Sequence, residues 1–113
     1  MSAQRVMARG LPAKPLDAAA EFAARFLPKI RAALPADIVI LFDPADHPHD
    51  SWRRAMVEEL AREAVPGRVN AVVGMDVAAV EETVAFLERA PGVTGQVFTT
   101  NDAVTHDGTP VSR

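Results

Sequence analysis

The chain has 113 residues, and 49% of them are hydrophobic, which is enough apolar material for the core of one small domain. The net charge is −3, and the 12 Lys and Arg residues are scattered among acidic ones, which argues against a nucleic-acid-binding surface. No cysteine occurs, so disulfides, iron–sulfur clusters and thiolate zinc sites are excluded, and no apolar run is long enough to cross a bilayer.

The first 16 residues contain Gly10, Pro12 and Pro15 and show no sustained hydrophobic period, which favours a mobile N-terminal arm. Within this arm, residues 5–9 are compatible with a short strand. The arm also lacks the apolar stretch of a secretory signal peptide, so we expect the protein in the cytoplasm.

The spacing of apolar residues predicts a helix over residues 18–34, with Asp17 as its capping residue. Phe22, Phe26 and Ile30 recur every four residues and therefore form a stripe on one face of that helix. Pro28 lies inside the pattern and removes a backbone donor, so we expect it to kink the helix or to split it.

The segment at residues 37–42, which is continuously hydrophobic after Asp37, predicts a strand that is covered on both faces, as in parallel sheets. A polar loop over residues 43–49 follows, with Asp50 as a capping residue for a helix over residues 51–64. The apolar stripe of this helix consists of Trp52, Met56, Leu60 and Ala64.

A second strand is predicted over residues 68–73, a third helix over 77–88 and a third strand over 93–100, before an irregular tail at 101–113. Strands that alternate with helices imply right-handed crossovers and a parallel sheet. The sequence therefore predicts an α/β domain over residues 17–100, a partial Rossmann-like three-layer fold with about three strands and three helices.

Such a sheet leaves one edge of the strand at residues 37–42 without a neighbour. An exposed apolar edge promotes association, so either the N-terminal arm or a second chain must cover it. We favour a second chain, another copy, because symmetric dimers are the commonest assembly.

The loop over residues 43–50 is the densest polar cluster, and it follows a parallel strand, where open α/β sheets place their ligand sites. His47 and His49 are candidate zinc ligands. Side chains that could complete such a site are those of Asp46, Asp50, His106 and Asp107. The alternative is a solvated loop whose main task is to begin the next helix.

Three other features have both a functional and a structural interpretation. His49 beside Ser51 could serve as a general base, but only with an orienting group and an oxyanion site. Arg53 and Arg54 could hold a phosphate near a helix start, although paired arginines are more often a solvated face. Asn70, in the middle of a strand, is expected to tie loop backbone through its side chain.

Four segments, in this order, resemble the C-terminal half of the short-chain dehydrogenase/reductase family. They are Phe26-Leu27-Pro28, Met56-Val-Glu-Glu-Leu-Ala-Arg-Glu63, Arg68-Val-Asn-Ala-Val72 and Thr94-Gly-Gln-Val97. The resemblance covers about residues 18–100 and implies that the three predicted strands correspond to that family's fifth, sixth and last strands. Membership of this family would imply that the protein binds NAD(P)H and transfers a hydride.

The family's catalytic and cofactor motifs are not kept. The glycine-rich turn that holds the pyrophosphate belongs to the first half of the fold. Asp46 and Asp50 stand where the family has its Tyr-x-x-x-Lys pair, and Val73-Gly74 stands where it has Pro-Gly. The resemblance thus implies no catalytic and no cofactor-binding residue in this chain, with NAD(P) expected only if a partner chain completes the site.

The resemblance does imply assembly surfaces, because the family's subunits pack through the helices that correspond to residues 18–34 and 51–64, and also through the last helix and strand. The expected interface residues are Phe22, Phe26, Ile30, Trp52, Met56 and Leu60. We therefore expect a non-catalytic assembly or interaction protein, a homo-oligomer or a hetero-oligomer with a full-length reductase, that binds neither nucleic acid nor membrane. The alternatives are an NAD(P)-dependent oxidoreductase component whose cofactor site a partner supplies, and a small metal- or ligand-binding domain that uses the loop at residues 43–50.

Overall fold

The structure, a computed structural model, describes residues 3–100. Its parallel sheet contains four strands side by side in chain order, which are β1 (Gln4–Ala8), β2 (Ile38–Phe42), β3 (Val69–Val73) and β4 (Val97–Thr99). The four helices are α1 (Pro15–Arg25), α2 (Leu27–Ala33), α3 (Asp50–Ala64) and α4 (Val77–Glu88), and a 3-10 turn (His47–His49) precedes α3. The predicted α/β class, the small parallel sheet and the Rossmann-like character are confirmed, with one strand and one helix more than expected.

The extra helix comes from Pro28, which splits the predicted helix as expected. Phe26 is the C-cap residue of α1 and the N-cap residue of α2. Pro28 lies in the first turn of α2. There the missing N–H of proline costs nothing, because the first donors of a helix have no intrahelical partner.

The extra strand, β1, lies in the segment that was expected to be a mobile arm, at about the residues 5–9 where the sequence was compatible with a short strand. β1 pairs in parallel with β2, with Val6 opposite Ile40. The side chain of Arg5 forms an ion pair with Glu81 on α4, and the backbone N–H of Ala3 donates to the Glu88 carboxylate at 3.0 Å. The edge of β2 that was assigned to a second chain is therefore covered by the chain's own leading residues, which corrects that expectation.

Two apolar cores lie on opposite faces of the sheet, because successive residues of a strand point to opposite sides. The first face is covered by α1, α2 and α3 and holds the larger core, with Phe22, Ile30 and Phe42 fully buried. The second face is covered by α4, whose Val84 packs with Leu41 and its neighbours.

The position of α4 corrects the prediction of uniformly right-handed crossovers. The connections β1–β2 and β2–β3 run through the first face, whereas β3–β4 runs through the second. All three connections step across the sheet in the same direction, since the strand order is β1-β2-β3-β4. The last crossover therefore has the opposite hand to the other two, against the general preference.

Among the helices at residues 3–100, none combines the length and the apolar character that a bilayer-spanning helix requires. The predicted irregular tail, which includes His106 and Asp107, lies outside the described residues.

Candidate functional site

A cleft of about 450 Å³ opens at the carboxyl ends of β1, β2 and β3, the edge at which open α/β sheets bind ligands. The segment after β1, the loop after β2 and the start of α3 form its walls. The lining residues are Ala8, Leu11, Pro12, Ala13, Asp43, Pro44, Ala45, Asp46, His49, Arg53 and Met75. The polar loop at residues 43–50 thus borders a cleft, and residues of the N-terminal segment between 8 and 13 form another part of the cleft wall.

Arg9 joins the ends of three strands at one side of the cleft. Its Nη1 donates to the Asp43 carboxylate at 2.8 Å and to the carbonyl oxygens of Phe42 and Gly74 at 3.3 and 3.1 Å. The second oxygen of Asp43 accepts from the backbone N–H of Gly10 at 2.9 Å. Both carboxylate oxygens of Asp43 are therefore engaged in holding β1 to β2.

His49 is buried, and both of its ring nitrogens have a partner. Nε2 lies 2.8 Å from the carbonyl oxygen of Ala13, and Nδ1 lies 3.0 Å from the indole nitrogen of Trp52. Because a carbonyl only accepts and an indole N–H only donates, the imidazole is neutral with its proton on Nε2. A metal ligand or a general base needs a free ring nitrogen, and this geometry leaves none, so His49 positions the loop and Trp52.

His47 and Asp50 form a separate, exposed pair. The His47 ring is 87% exposed, and its Nδ1 lies 2.9 Å from a carboxylate oxygen of Asp50. Asp50 is the first residue of α3 and does not cap it, since the residue before the helix is His49 and no side-chain cap forms. Within residues 3–100, no three His, Asp or Glu side chains lie close enough together to hold a metal ion.

Arg53 is the unexpected member of the site. Only 6% of the residue is exposed, and its guanidinium carbon lies 4.5 Å from the ring centroid of Phe42 and 5.7 Å from that of Trp52. Burial lowers the pKa of Arg53 to about 10, against the opposing influence of the Asp43 and Asp50 carboxylates. Its Nε has no hydrogen-bond partner within the described part of the chain.

The prediction that Arg53 and Arg54 share a solvated face holds for Arg54 and is wrong for Arg53. The inward stripe of α3 consists of Arg53, Val57, Leu60, Ala61 and Ala64. The burial of Arg53 could have been predicted from the sequence, because Arg53 lies four residues before Val57 and seven before Leu60, on the same helix face. The predicted apolar stripe instead ran through Trp52 and Met56, one residue away from the buried face.

The residues expected at a subunit interface are mostly used inside one chain. Phe22, Phe26, Ile30 and Leu60 belong to the core of the first face. The ring of Phe22 lies 5.6 Å from those of both Phe42 and Trp52. Trp52 and Met56 are half-buried and are the two members of that set that still reach the surface.

The positions that correspond to the family's catalytic pair carry two carboxylates. Asp46 is exposed on the rim of the cleft, and Asp50 is bound to His47. The carbonyl of Gly74, at the position of the family's Pro-Gly, accepts from Arg9.

No curated protein and no solved structure matches this chain. A family model described as "short chain dehydrogenase-like protein" matches residues 6–100, from within β1 to the end of the described residues. The chain therefore belongs to the family of short-chain-dehydrogenase-like proteins.

Proposed function

We propose that this protein is a non-catalytic member of its family that acts by associating with another polypeptide, in the first instance a second copy of itself. The observation that carries the non-catalytic part is the pair Asp46 and Asp50 at the family's Tyr and Lys positions, beside a Gly74 carbonyl bound by Arg9. Two carboxylates supply neither the acidic phenol nor the ammonium that hydride-transfer chemistry needs in this family.

The two outer edges of the described sheet support a specific place for association. β1 carries Gln4 and Arg5, and a charged side chain on an edge strand discourages pairing with another chain. β4 has the sequence Val-Phe-Thr at residues 97–99, carries no charge, and pairs only with β3 among the described strands. The edge at β4 is therefore the one that favours a partner.

An exposed aromatic residue lies next to this edge. Phe86 on α4 is 46% exposed, and its ring lies edge-on to Phe98 with 6.1 Å between the centroids. In the family that the chain resembles, the last helix and strand form a subunit interface. A second copy packed on α4 and β4 would remove Phe86 from water, which is favourable by about 1–2 kcal/mol for a half-exposed aromatic ring.

Light scattering during size-exclusion chromatography tests this proposal. The wild-type chain, of 12.1 kDa, is expected to elute as a dimer, and Phe86→Glu is expected to dissociate it because a carboxylate would be buried at the contact. The matched control is Leu16→Glu, which places the same charge on α1 at a residue that is 83% exposed. A wild-type monomer at every concentration, or equal dissociation of both variants, would overturn the proposed surface.

A second candidate function is an oxidoreductase component whose cofactor site is supplied by a partner. The observation that favours it is that the outer edge of β1 has no further strand among the described residues, so that a chain with the glycine-rich half could extend the sheet there. It ranks second because the charged Arg5 makes this edge less favourable for pairing than that of β4. Titration of NADPH into the protein mixed with a full-length reductase, followed by cofactor fluorescence, distinguishes the two. Cofactor affinity equal to that of the reductase alone would exclude this candidate.

A further inference from the structure

We propose that the cleft at the carboxyl edge of the sheet is a binding site for a small monocarboxylate, whose carboxylate pairs with Arg53. This site goes beyond the proposed association, since it lies at the start of α3 and includes neither α4 nor β4.

The first argument is an unbalanced buried charge. Only 6% of Arg53 is exposed, and the residue borders the cleft. It forms no ion pair with any residue between 3 and 100. Burial of an unpaired cation is costly, and proteins ordinarily compensate it with a carboxylate or a bound anion. The two carboxylates that act on Arg53 are already bound, Asp43 by Arg9 and Gly10 and Asp50 by His47.

The second argument is that the guanidinium of Arg53 is already held in position to bind a planar anion. The rings of Phe42 and Trp52 lie near it, and Trp52 is in turn held by His49. These contacts restrict the rotamers of Arg53, so less side-chain entropy is lost when a ligand binds. A fixed guanidinium matches a carboxylate with two parallel hydrogen bonds.

The third argument concerns the charge and the body of the ligand. One unpaired cation faces a rim that carries the exposed Asp46, so a second negative charge on the ligand would be repelled. Much of the remaining lining is apolar, for example Leu11, Pro12 and Ala45. The volume of about 450 Å³ lies in the range of small-molecule sites. A monocarboxylate with a short apolar body satisfies all three conditions.

Hexanoate is a suitable probe, and hexanamide is its neutral match. The chain has one tryptophan, Trp52, so its fluorescence reports on the site directly. Hexanoate is expected to change this fluorescence saturably, with a dissociation constant on the order of 1 mM for so small a ligand. Hexanamide is expected to bind about tenfold more weakly because it lacks the charge-assisted pair.

Variants of two adjacent arginines separate the site from a general effect of charge. Arg53→Met is expected to weaken hexanoate binding about tenfold, whereas Arg54→Met, at an exposed neighbour, should leave it unchanged. Arg53→Lys keeps the charge and should retain part of the affinity, and the circular dichroism of each variant reports its folding. Phe86→Glu should bind hexanoate like the wild type, so failure of the association proposal is distinguishable from failure of this one.

Several outcomes would overturn the site. One is the absence of a saturable signal up to about 20 mM hexanoate, far above the expected dissociation constant. Another is equal binding of hexanoate and hexanamide, or equal loss in Arg53→Met and Arg54→Met. Tighter binding of inorganic phosphate than of hexanoate would contradict the assignment of a monocarboxylate.

Discussion

Arg53 lies over the ring of Phe42, with 4.5 Å between the guanidinium carbon and the ring centroid. Phe42 is the last residue of β2, and the carboxylate that follows it, Asp43, binds Arg9 at 2.8 Å instead of Arg53. Arg9 and Arg53 thus both lie at the end of β2, where the carboxylate of Asp43 binds Arg9. Arg53 is left in contact with the rings of Phe42 and Trp52 and with the cleft.

Replacement of Arg53 by methionine should stabilise the fold. Methionine keeps much of the apolar stem and removes the buried charge, so the free energy of unfolding should rise by about 1–2 kcal/mol. Burial lowers the folded-state pKa of Arg53 to about 10, which means that the native state disfavours the charged guanidinium. The resulting loss of unfolding free energy is fully present below pH 10, where the side chain is charged in both states. Urea denaturation at pH 7 measures the difference. Arg54→Met is the control and should change stability by less than about 0.5 kcal/mol; a loss of stability in Arg53→Met would show that the cation is compensated.

Asn70 should be required to hold the turn segment at residues 93–96, which precedes β4, in place. Its side-chain amide donates to the carbonyl of Val93 at 3.0 Å, and its carbonyl oxygen accepts from the backbone N–H of Gln96 at 3.1 Å. Asn70→Ala leaves both backbone groups without this partner and should cost about 2–3 kcal/mol of unfolding free energy. Gln96→Ala removes an exposed side chain and keeps the backbone donor, so its melting temperature should stay close to that of the wild type. Similar melting temperatures for Asn70→Ala and Gln96→Ala would contradict this role.

Gly67 should not tolerate a side chain. A Cβ atom at this position would lie 1.9 Å from the carbonyl oxygen of Pro35, which is backbone and cannot move aside without displacing its loop. Gly67→Ala is therefore expected to lose about 3 kcal/mol or more in chemical denaturation. Gly92→Ala is the matched control, because a Cβ there meets no atom within 4 Å. If both alanine variants unfold at the same denaturant concentration, the close approach does not exist in solution.

The ion pair between Arg5 and Glu81 should be visible in a carboxylate titration. The hydrogen bond from Arg5 lowers the pKa of the Glu81 carboxyl, and in Arg5→Ala this pKa should return towards its ordinary value. Since the folded-state pKa is lowered, the pair stabilises the fold above the unfolded-state pKa of Glu81, and this contribution is lost as the pH falls through the folded-state value.

Carbon-detected NMR of the glutamate side chains measures the titration of Glu81 in the wild type and in Arg5→Ala. The pKa of Glu63, which Arg31 lowers in the same way, is the internal control and should not change; an unchanged Glu81 midpoint in Arg5→Ala would mean that β1 is not tied to α4 in this way.

Local patterns predicted several elements correctly. The helix bounds of α4 match the predicted residues 77–88, and the predicted effect of Pro28 is confirmed. The expected hydrogen-bonding role of Asn70 is also confirmed. β4 is shorter than predicted, because Val93 belongs to a turn in which its N–H donates to the carbonyl of Ala90.

β1 was harder to predict because an edge strand with one fully buried residue, Ala8, has little hydrophobic period. Its partner β2 also lies about 30 residues further along the chain, so no local signal records the pairing. The same separation explains why the sequence assigned the edge of β2 to a second chain.

The sequence by itself determined the alternation of helices and strands over residues 37–88, the parallel sheet and the absence of tyrosine from the chain, because hydrophobic period, turn residues and residue types can be read from the sequence without any knowledge of long-range contacts. The tertiary structure alone decided that β1 covers β2, that α4 lies on the second face and that Arg53 is buried without an ion-pair partner among the described residues. These features depend on contacts between residues far apart in the chain. The burial of Arg53, for example, follows from the packing of α3 on β2, which no local pattern of charges specifies.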